Sequence, residues 1–428
     1  MTASPLIPVQ APAGSFFGWR VVGAAFALAV FAWGIGFYGP PIFLGVLHTT
    51  RDWPVPVISA AITAHFLCGA ALVVRLATLH RRFGVMATTR AGAILTGLGA
   101  LGWAIAPAPW LLFLAAPVSG AGWALSSGAA LNAMVSPWFD RRRPAALSMA
   151  FNGASMGGIV FSPLWVALIS GLGFPVAALL VGITAAGVAW VLAGRYLGRG
   201  PAEMGLRPDG DPAAPAHGPA RPDRQALAPL VHPWRDRRCV TLAAAATLGL
   251  VAQIGLVAHL FSLLAPVLGD SSAGLTMGAA TACAIGGRSL LGARLPPGAD
   301  RRRVAAANVG MQALGSAVLL LAGGSVPWLL LGCGLFGLGL GNVTSLPPLI
   351  AQAEFRPADV ARVVALVTAT SQAGYAFAPA LFGLLRQDGT GGAALFAAAA
   401  AIQLAAAAVV LLGRQPRRSG RTGSSGPL

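Results

Sequence analysis

Twelve apolar runs, each long enough to cross a bilayer, leave this 428-residue chain few ways to fold. A span needs about 20 apolar residues, and in hydrocarbon each backbone N–H and C=O must be satisfied inside the segment, so helix is the expected form. Six runs cover roughly 19–47, 55–78, 85–106, 110–135, 145–170 and 175–197. Six more cover roughly 239–266, 272–295, 304–323, 327–352, 360–385 and 391–413. Short turns such as Pro107-Ala108-Pro109 and Gly171-Leu172-Gly173 separate neighbours, which must then pack antiparallel. Charged residues make up 10% of the chain, against about 25% in soluble proteins. The expected class is therefore an all-α membrane protein.

Charge sets the expected orientation. All 29 basic residues are arginine, and the formal net charge is +17. A nucleic-acid partner is excluded, because the arginines fall in short clusters between apolar runs and form no groove-facing stripe. One set of connections carries Arg81-Arg82, Arg141-Arg142-Arg143, Arg301-Arg302-Arg303, Arg356 and a tail with Arg414, Arg417, Arg418 and Arg421. The other carries Arg51 with Asp52, Asp270, and Arg386 with Asp388. Basic loops stay inside, so both termini and the central connection are expected in the cytoplasm, with the chain multi-pass in the inner (plasma) membrane. The N-terminal MTASPLIPVQAPAGSFFG has no basic n-region and no cleavage pattern, so the first run is expected to remain as a span.

Residues 198–238 are proline-rich and of mixed charge, with His217 and His232 as ordinary polar residues. They read as an extended, solvated linker between an N-terminal unit, 1–197, and a C-terminal unit, 239–428. The two units look duplicated. A shift of 216 residues lays Ser155 over Ser371, Gly158 over Gly374, Phe161 over Phe377 and Pro163 over Pro379, in the fifth run of each half. Parallel repeats of this kind place a substrate near the midplane between them.

Several stretches carry a family resemblance. Gly34-Ile-Gly-Phe-Tyr-Gly-Pro-Pro, Asp52-Trp-Pro-Val-Pro-Val-Ile-Ser, and Trp138-Phe-Asp-Arg-Arg-Arg-Pro-Ala-Ala running into Asn152-Gly-Ala-Ser-Met-Gly-Gly resemble the major facilitator superfamily. Within it they are similar to the bacterial monocarboxylate-porter-like and oxalate/formate antiporter branch. The resemblance implies two pseudo-symmetric six-helix bundles, gating loops at Arg81-Arg82 and Arg301-Arg302, and a monomer. It also implies an arginine in the eighth span that binds a substrate carboxylate, and Arg288 in Gly287-Arg288-Ser-Leu-Leu-Gly292 falls on that motif. Three positions depart from the family pattern. Arg81 stands where the loop after the second span normally has an acid. Ala284 stands where some relatives have an aspartate. Pro41 stands where animal members have a lysine.

The residues themselves point the same way. A guanidinium stays charged at physiological pH, and leaving it in hydrocarbon costs at least ~2.5–3.5 kcal/mol. Arg288 precedes Arg294 by six residues, roughly 9 Å along a helix, too deep for easy snorkelling, and no Asp or Glu lies in any of these spans to pair with it. A cavity-facing role follows, against the alternative of a snorkelling side chain. Arg75, Arg90, Arg20 and Arg294 lie at span ends and read as snorkelling or gate-packing residues. Mid-span His65 and His259 read as hydrogen-bonded helix contacts or, if protons are coupled, as a proton or polar relay. Tyr38, Gln372 and Tyr375 lie on spans that line the cavity in this superfamily and are candidate substrate contacts. Asn152, Gln253, Asn308, Gln312 and Asn342 read as hydrogen bonds between helices.

Gly332-Cys-Gly-Leu-Phe-Gly337 matches a dinucleotide pattern but follows no strand, so its glycines serve helix packing. The four cysteines have no metal spacing. With no triad, metal cluster or phosphate loop, no enzyme activity and no cofactor are expected. The expected function is alternating-access transport of a small organic anion, a mono- or dicarboxylate, at Arg288. An exporter of amphipathic drugs using aromatics such as Trp33 and Trp123, with Arg288 structural, is the alternative. A non-transporting sensor or scaffold fits the short loops less well.

Overall fold

A computed structural model describes residues 16–210, 230–294, 299–386 and 392–414. The N-terminal stretch before Phe16, His217, Asp388, Arg417, Arg418 and Arg421 lie outside the described residues. The first half contains α1 (Phe17–Gly36), α2 (Gly39–Arg51), α3 (Val55–Val73), α4 (Leu76–Ile105), α5 (Leu112–Ser126), α6 (Gly128–Val135), α7 (Arg143–Leu172) and α8 (Phe174–Tyr196). The second contains α9 (Arg237–Leu268), α10 (Asp270–Arg294), α11 (Arg301–Leu321), α12 (Val326–Leu340), α13 (Asn342–Glu354), α14 (Pro357–Tyr375), α15 (Ala378–Leu384) and α16 (Ala393–Leu412). The pairs α1–α2, α5–α6, α12–α13 and α14–α15 each make one interrupted rod, so twelve rods result. The fold is all-α, with no strand among the described residues.

Nine of these rods are long and apolar enough to cross a membrane by length and composition alone. The other three are α4, α10 and α14–α15. Arginines dilute α4, which carries Arg81, Arg82 and Arg90, and Gly84 at φ 80° divides it where the third span was expected to begin. α10 carries Arg288, and α14–α15 is interrupted before Pro379.

Proline chemistry explains the interruptions. Pro40 and Pro41 have no N–H, so the helix cannot close on the carbonyls four residues back, and α1 ends at Gly36. Pro379 acts likewise at Tyr375, and two backbone groups just past the break meet side chains of other helices. The Pro379 carbonyl is 3.0 Å from His259 Nε2, and the Ala380 N–H donates to Thr63 Oγ1 at 3.0 Å. Pro163, its counterpart under the 216-residue shift, sits inside the unbroken α7.

The apolar core divides along the molecule. At the end away from the arginine clusters one core joins the halves, packing Ile42, Phe43 and Trp165 with Leu256, Phe261 and Phe382. At the arginine-rich end the core is split. Val21, Leu131, Trp138 and Phe139 pack within the first half, and Leu242, Ile350, Phe355 and Val363 within the second. Contacts between halves run through α2 with α9, α3 with α15 and α7 with α10.

The expectation of a solvated linker needs correction at both described ends. Residues 202–204 and 208–210 form short 3-10 turns, and Leu206 packs on the core of the first half. Asp209, 8% exposed, accepts the backbone N–H groups of Asp140, Arg141 and Arg142 at 3.1, 2.8 and 3.2 Å. On the far side of the linker, Leu230 is buried and its N–H donates to Asp359. Proline content predicts poor helix, but it says nothing of a carboxylate that finds a ring of unsatisfied amides.

The arginines near α9 and α11 do more than mark topology. Arg302 is 1% exposed and grips Glu354 with Nε to Oε1 at 2.7 Å and Nη2 to Oε2 at 2.8 Å. It also donates to the carbonyls of Val410 and Arg238, tying α16 and α9 to α13. Asp300 caps α11 and pairs with Arg414 at 2.7 Å.

Two outcomes are expected. Glu354→Gln leaves Arg302 buried with its charge uncompensated, which costs about 3–5 kcal/mol. Thermal unfolding in detergent should show a clear drop in Tm, whereas Arg81→Ala, at an exposed site, should not. For Asp209, burial alone would raise the carboxyl, but the three amides and Arg141 outweigh it and hold it below the ordinary aspartate value. Its stabilisation is therefore complete above about pH 4 and lost as pH falls through the depressed value. Limited proteolysis should find the linker equally protected from pH 8 to 5, and cut faster in Asp209→Ala.

Candidate functional site

Arg288 lies half-buried on α10, on the seam where α10 meets α7. Its Nε and Nη2 donate to the Gly341 carbonyl at 3.3 and 3.2 Å, and Nη1 donates to Asn152 Oδ1 at 3.2 Å. Gly341 is the break between α12 and α13. A Cβ there would lie 2.9 Å from Nη2 and 2.8 Å from the Ala284 carbonyl, so only glycine leaves the guanidinium its place. No carboxylate pairs with Arg288 among the described residues. The side chain is a charged, planar donor held by neutral acceptors.

Tyr38 stands beside it. It follows the end of α1, is 8% exposed, and lies against Thr281 and within electrostatic reach of Arg288. Gly158 on α7 makes room, since a Cβ there would press on both the Tyr38 ring and Thr281. The ring meets Phe37 edge-on, with centroids 5.0 Å apart. Phe37 in turn contacts Phe66 and stacks on Trp123, and Phe66 meets Tyr375 of the second half at 5.8 Å. Trp33 packs edge-on against Trp123 at 4.9 Å. An aromatic wall thus links Tyr38 to Tyr375 across the seam, with Gln372 beside the Tyr375 hydroxyl.

The remaining candidates lie elsewhere. His65 is fully buried in the first half; its Nδ1 is 2.8 Å from Ser119 Oγ, which also accepts from Trp103 Nε1. His259 is fully buried beside Pro379, in the end where the halves share a core. Each has one ring nitrogen without a partner among the described residues. Arg81 and Arg82 are exposed, contacting Thr78 and the Phe83 ring. Arg301 donates to the Leu349 carbonyl, so its partner, like those of Arg302, belongs to the second half. Arg90 lies over the Trp190 ring at 4.1 Å, in keeping with a span-end residue.

Three participants have no distinguishing signal in the sequence. Asn152 reads as one helix-knitting amide among several, and Gly341 and Thr281 carry no signal of their own. Asn308, Asn342, Gln312 and Gln253 do knit the second half, through Asn342 Nδ2 to Asn308 Oδ1 at 3.0 Å and Gln312 Nε2 to Gln253 Oε1 at 3.4 Å. Gly332 and Gly337 face Leu319 and the Ala280 carbonyl, which is close helix packing.

Comparison with known proteins adds three findings. A stretch of 104 residues is 36% identical to monocarboxylate transporter 13 of Bos taurus, covering 24% of this chain and 24% of that protein. The match therefore spans about a quarter of that relative's length. The fold is similar to the crystal structure of a POT family transporter in complex with a thioalcohol-conjugated peptide, with a TM-score of 0.66 over 92% of this chain and 95% of the other, at 13% identity. Residues 24–357 match the Major Facilitator Superfamily. With twelve helical rods and, among the described residues, an apolar core shared between the halves at one end, this chain belongs to the Major Facilitator Superfamily and is a multi-pass membrane protein.

Proposed function

We propose that the protein carries a small organic anion, a mono- or dicarboxylate, by alternating access, with Arg288 as the group that grips it. The observation that carries this reading is a half-buried guanidinium between the two halves, paired only with neutral acceptors among the described residues. A cation kept there costs free energy in every state of the empty protein. A carboxylate repays it with two parallel charge-assisted bonds. The partial match to a monocarboxylate transporter supports the same substrate class.

In this reading Tyr38 offers a hydroxyl next to the carboxylate, and the wall of Phe37, Phe66 and Tyr375 takes the apolar part of the substrate, with Gln372 at its edge. The halves, 1–197 and 239–428, part at the arginine-rich end and share a core at the other. With basic loops inside, this corresponds to an inward-facing conformation of a monomer in the inner membrane. Arg81, Arg82, Arg301 and Arg302 would then meet only in the opposite state. His65 and His259 act as buried helix contacts, since the partners they have are a serine hydroxyl and a proline carbonyl.

The aromatic wall also favours a second reading, export of amphipathic compounds with Arg288 structural. Proteoliposome uptake separates the two. The anion reading expects saturable uptake of labelled lactate or oxalate and a fall on the order of 10–100-fold in Arg288→Ala, the effect of losing a bond or more to a charged group. Arg288→Lys should also lose most transport, because it keeps the charge without the planar fork. Full uptake by Arg288→Ala would remove this residue from the mechanism. Gly341→Ala, which crowds the guanidinium and the Ala284 carbonyl, should raise the lactate KM several-fold in the protein that folds and should lower Tm in detergent.

A further inference from the structure

Arg288 faces two ways at once. Nε and Nη2, one side edge of the guanidinium, both point to the Gly341 carbonyl of its own half. The end-on fork is made of Nη1 and Nη2, and its Nη1 arm donates to Asn152 Oδ1 of the other half, 136 residues away in sequence. That fork is the geometry a carboxylate takes with two parallel bonds. Among the described residues the Nη1 arm is met by a neutral oxygen, and no carboxylate reaches the fork. Asn152 is half-buried on α7, and its hydrogen bond crosses the seam at the site itself, whereas Thr63 with Ala380 crosses it where the core is shared.

We propose that Asn152 is a positioning and specificity residue whose Oδ1 occupies the fork of Arg288 in the empty carrier and is replaced there by the substrate carboxylate. This rests on the anion reading above and adds to it a way for occupancy to reach the fold. An amide oxygen carries no net charge, so a guanidinium that exchanges it for a carboxylate gains an opposite charge and a second parallel bond. The amide keeps the cation from standing bare, yet it yields to an anion and not to a neutral ligand. When it yields, a tie between α7 and α10 is cut, so the bound and empty carriers differ in how firmly the halves are joined. A ligand shifts a conformational equilibrium only through such a difference between states.

The test is thermal unfolding of the purified full chain in detergent, with and without lactate, for wild type, Asn152→Asp and Asn152→Leu. Asn152→Asp supplies an internal carboxylate to the fork. Its ligand-free Tm should rise by about 2 °C or more, and the stabilisation that lactate gives wild type should vanish. Asn152→Leu removes the acceptor at similar size, so the ligand-free Tm should fall while the lactate shift is kept or enlarged. In proteoliposomes lactate uptake should drop at least tenfold in the Asp variant. If both variants match wild type in ligand-free Tm and in lactate response, the assignment of Asn152 is overturned and the anion reading stands. If wild type ignores lactate, pyruvate and oxalate alike, the anion reading falls, and the displacement proposed here falls with it.

Discussion

A permanent cation at the junction of two helical bundles is the constraint on which the functional account depends. Arg288 cannot be neutralised by losing a proton at physiological pH, so the surrounding chain has to supply oxygen. Among the described residues it does so without an acid. Gly341 interrupts the rod of α12 and α13 and offers its carbonyl to Nε and Nη2, and the missing Cβ opens the approach. Asn152 supplies a third acceptor from the facing half. A native aspartate at this place would satisfy the charge for good and leave nothing for a substrate to add. Ala284, one turn before Arg288 and only 3% exposed, keeps that position neutral.

The architecture around this point follows from where helices cannot continue. The rods that interrupt do so at Tyr38, Ser127, Gly341 and Tyr375, and three of these positions bring a residue to the site. Elsewhere charge stabilises each half separately. Arg302 with Glu354 fastens the arginine-rich end of the second half, and Asp209 staples the start of the linker onto the first. The split core at that end and the shared core at the other leave each half with apolar packing of its own. This is the arrangement that the proposed alternating access would use.

Much of the fold was legible because it depends on apolar runs and on proline. Eleven of the twelve rods fall within about five residues of the runs read from the chain, α4 starts nine residues early with its break at Gly84, and Pro40-Pro41 and Pro379 announce the interruptions near them. Pro163 shows the limit, since the same residue at the equivalent place in the other half is absorbed into a straight helix. Arg288 was legible because a charge in an apolar run is costly wherever it points. Its partners were not, because Asn152 looks like any other amide in a span and Gly341 is one of 56 glycines. The role of Asp209 was hidden for a related reason. It binds backbone amides, which leave no trace in residue type. Arg302 was counted with its exposed neighbours, and composition cannot tell a buried, paired arginine from a solvated one.

The central claim is that the site recognises negative charge through one guanidinium. Equilibrium binding of radiolabelled lactate and of its neutral isostere lactamide, to wild type and to Arg288→Ala, tests it most directly. The account predicts that wild type binds lactate at least about tenfold more tightly than lactamide, and that the preference disappears in Arg288→Ala. Equal binding of the two ligands by wild type, or a preference for lactate that survives without the arginine, would contradict it.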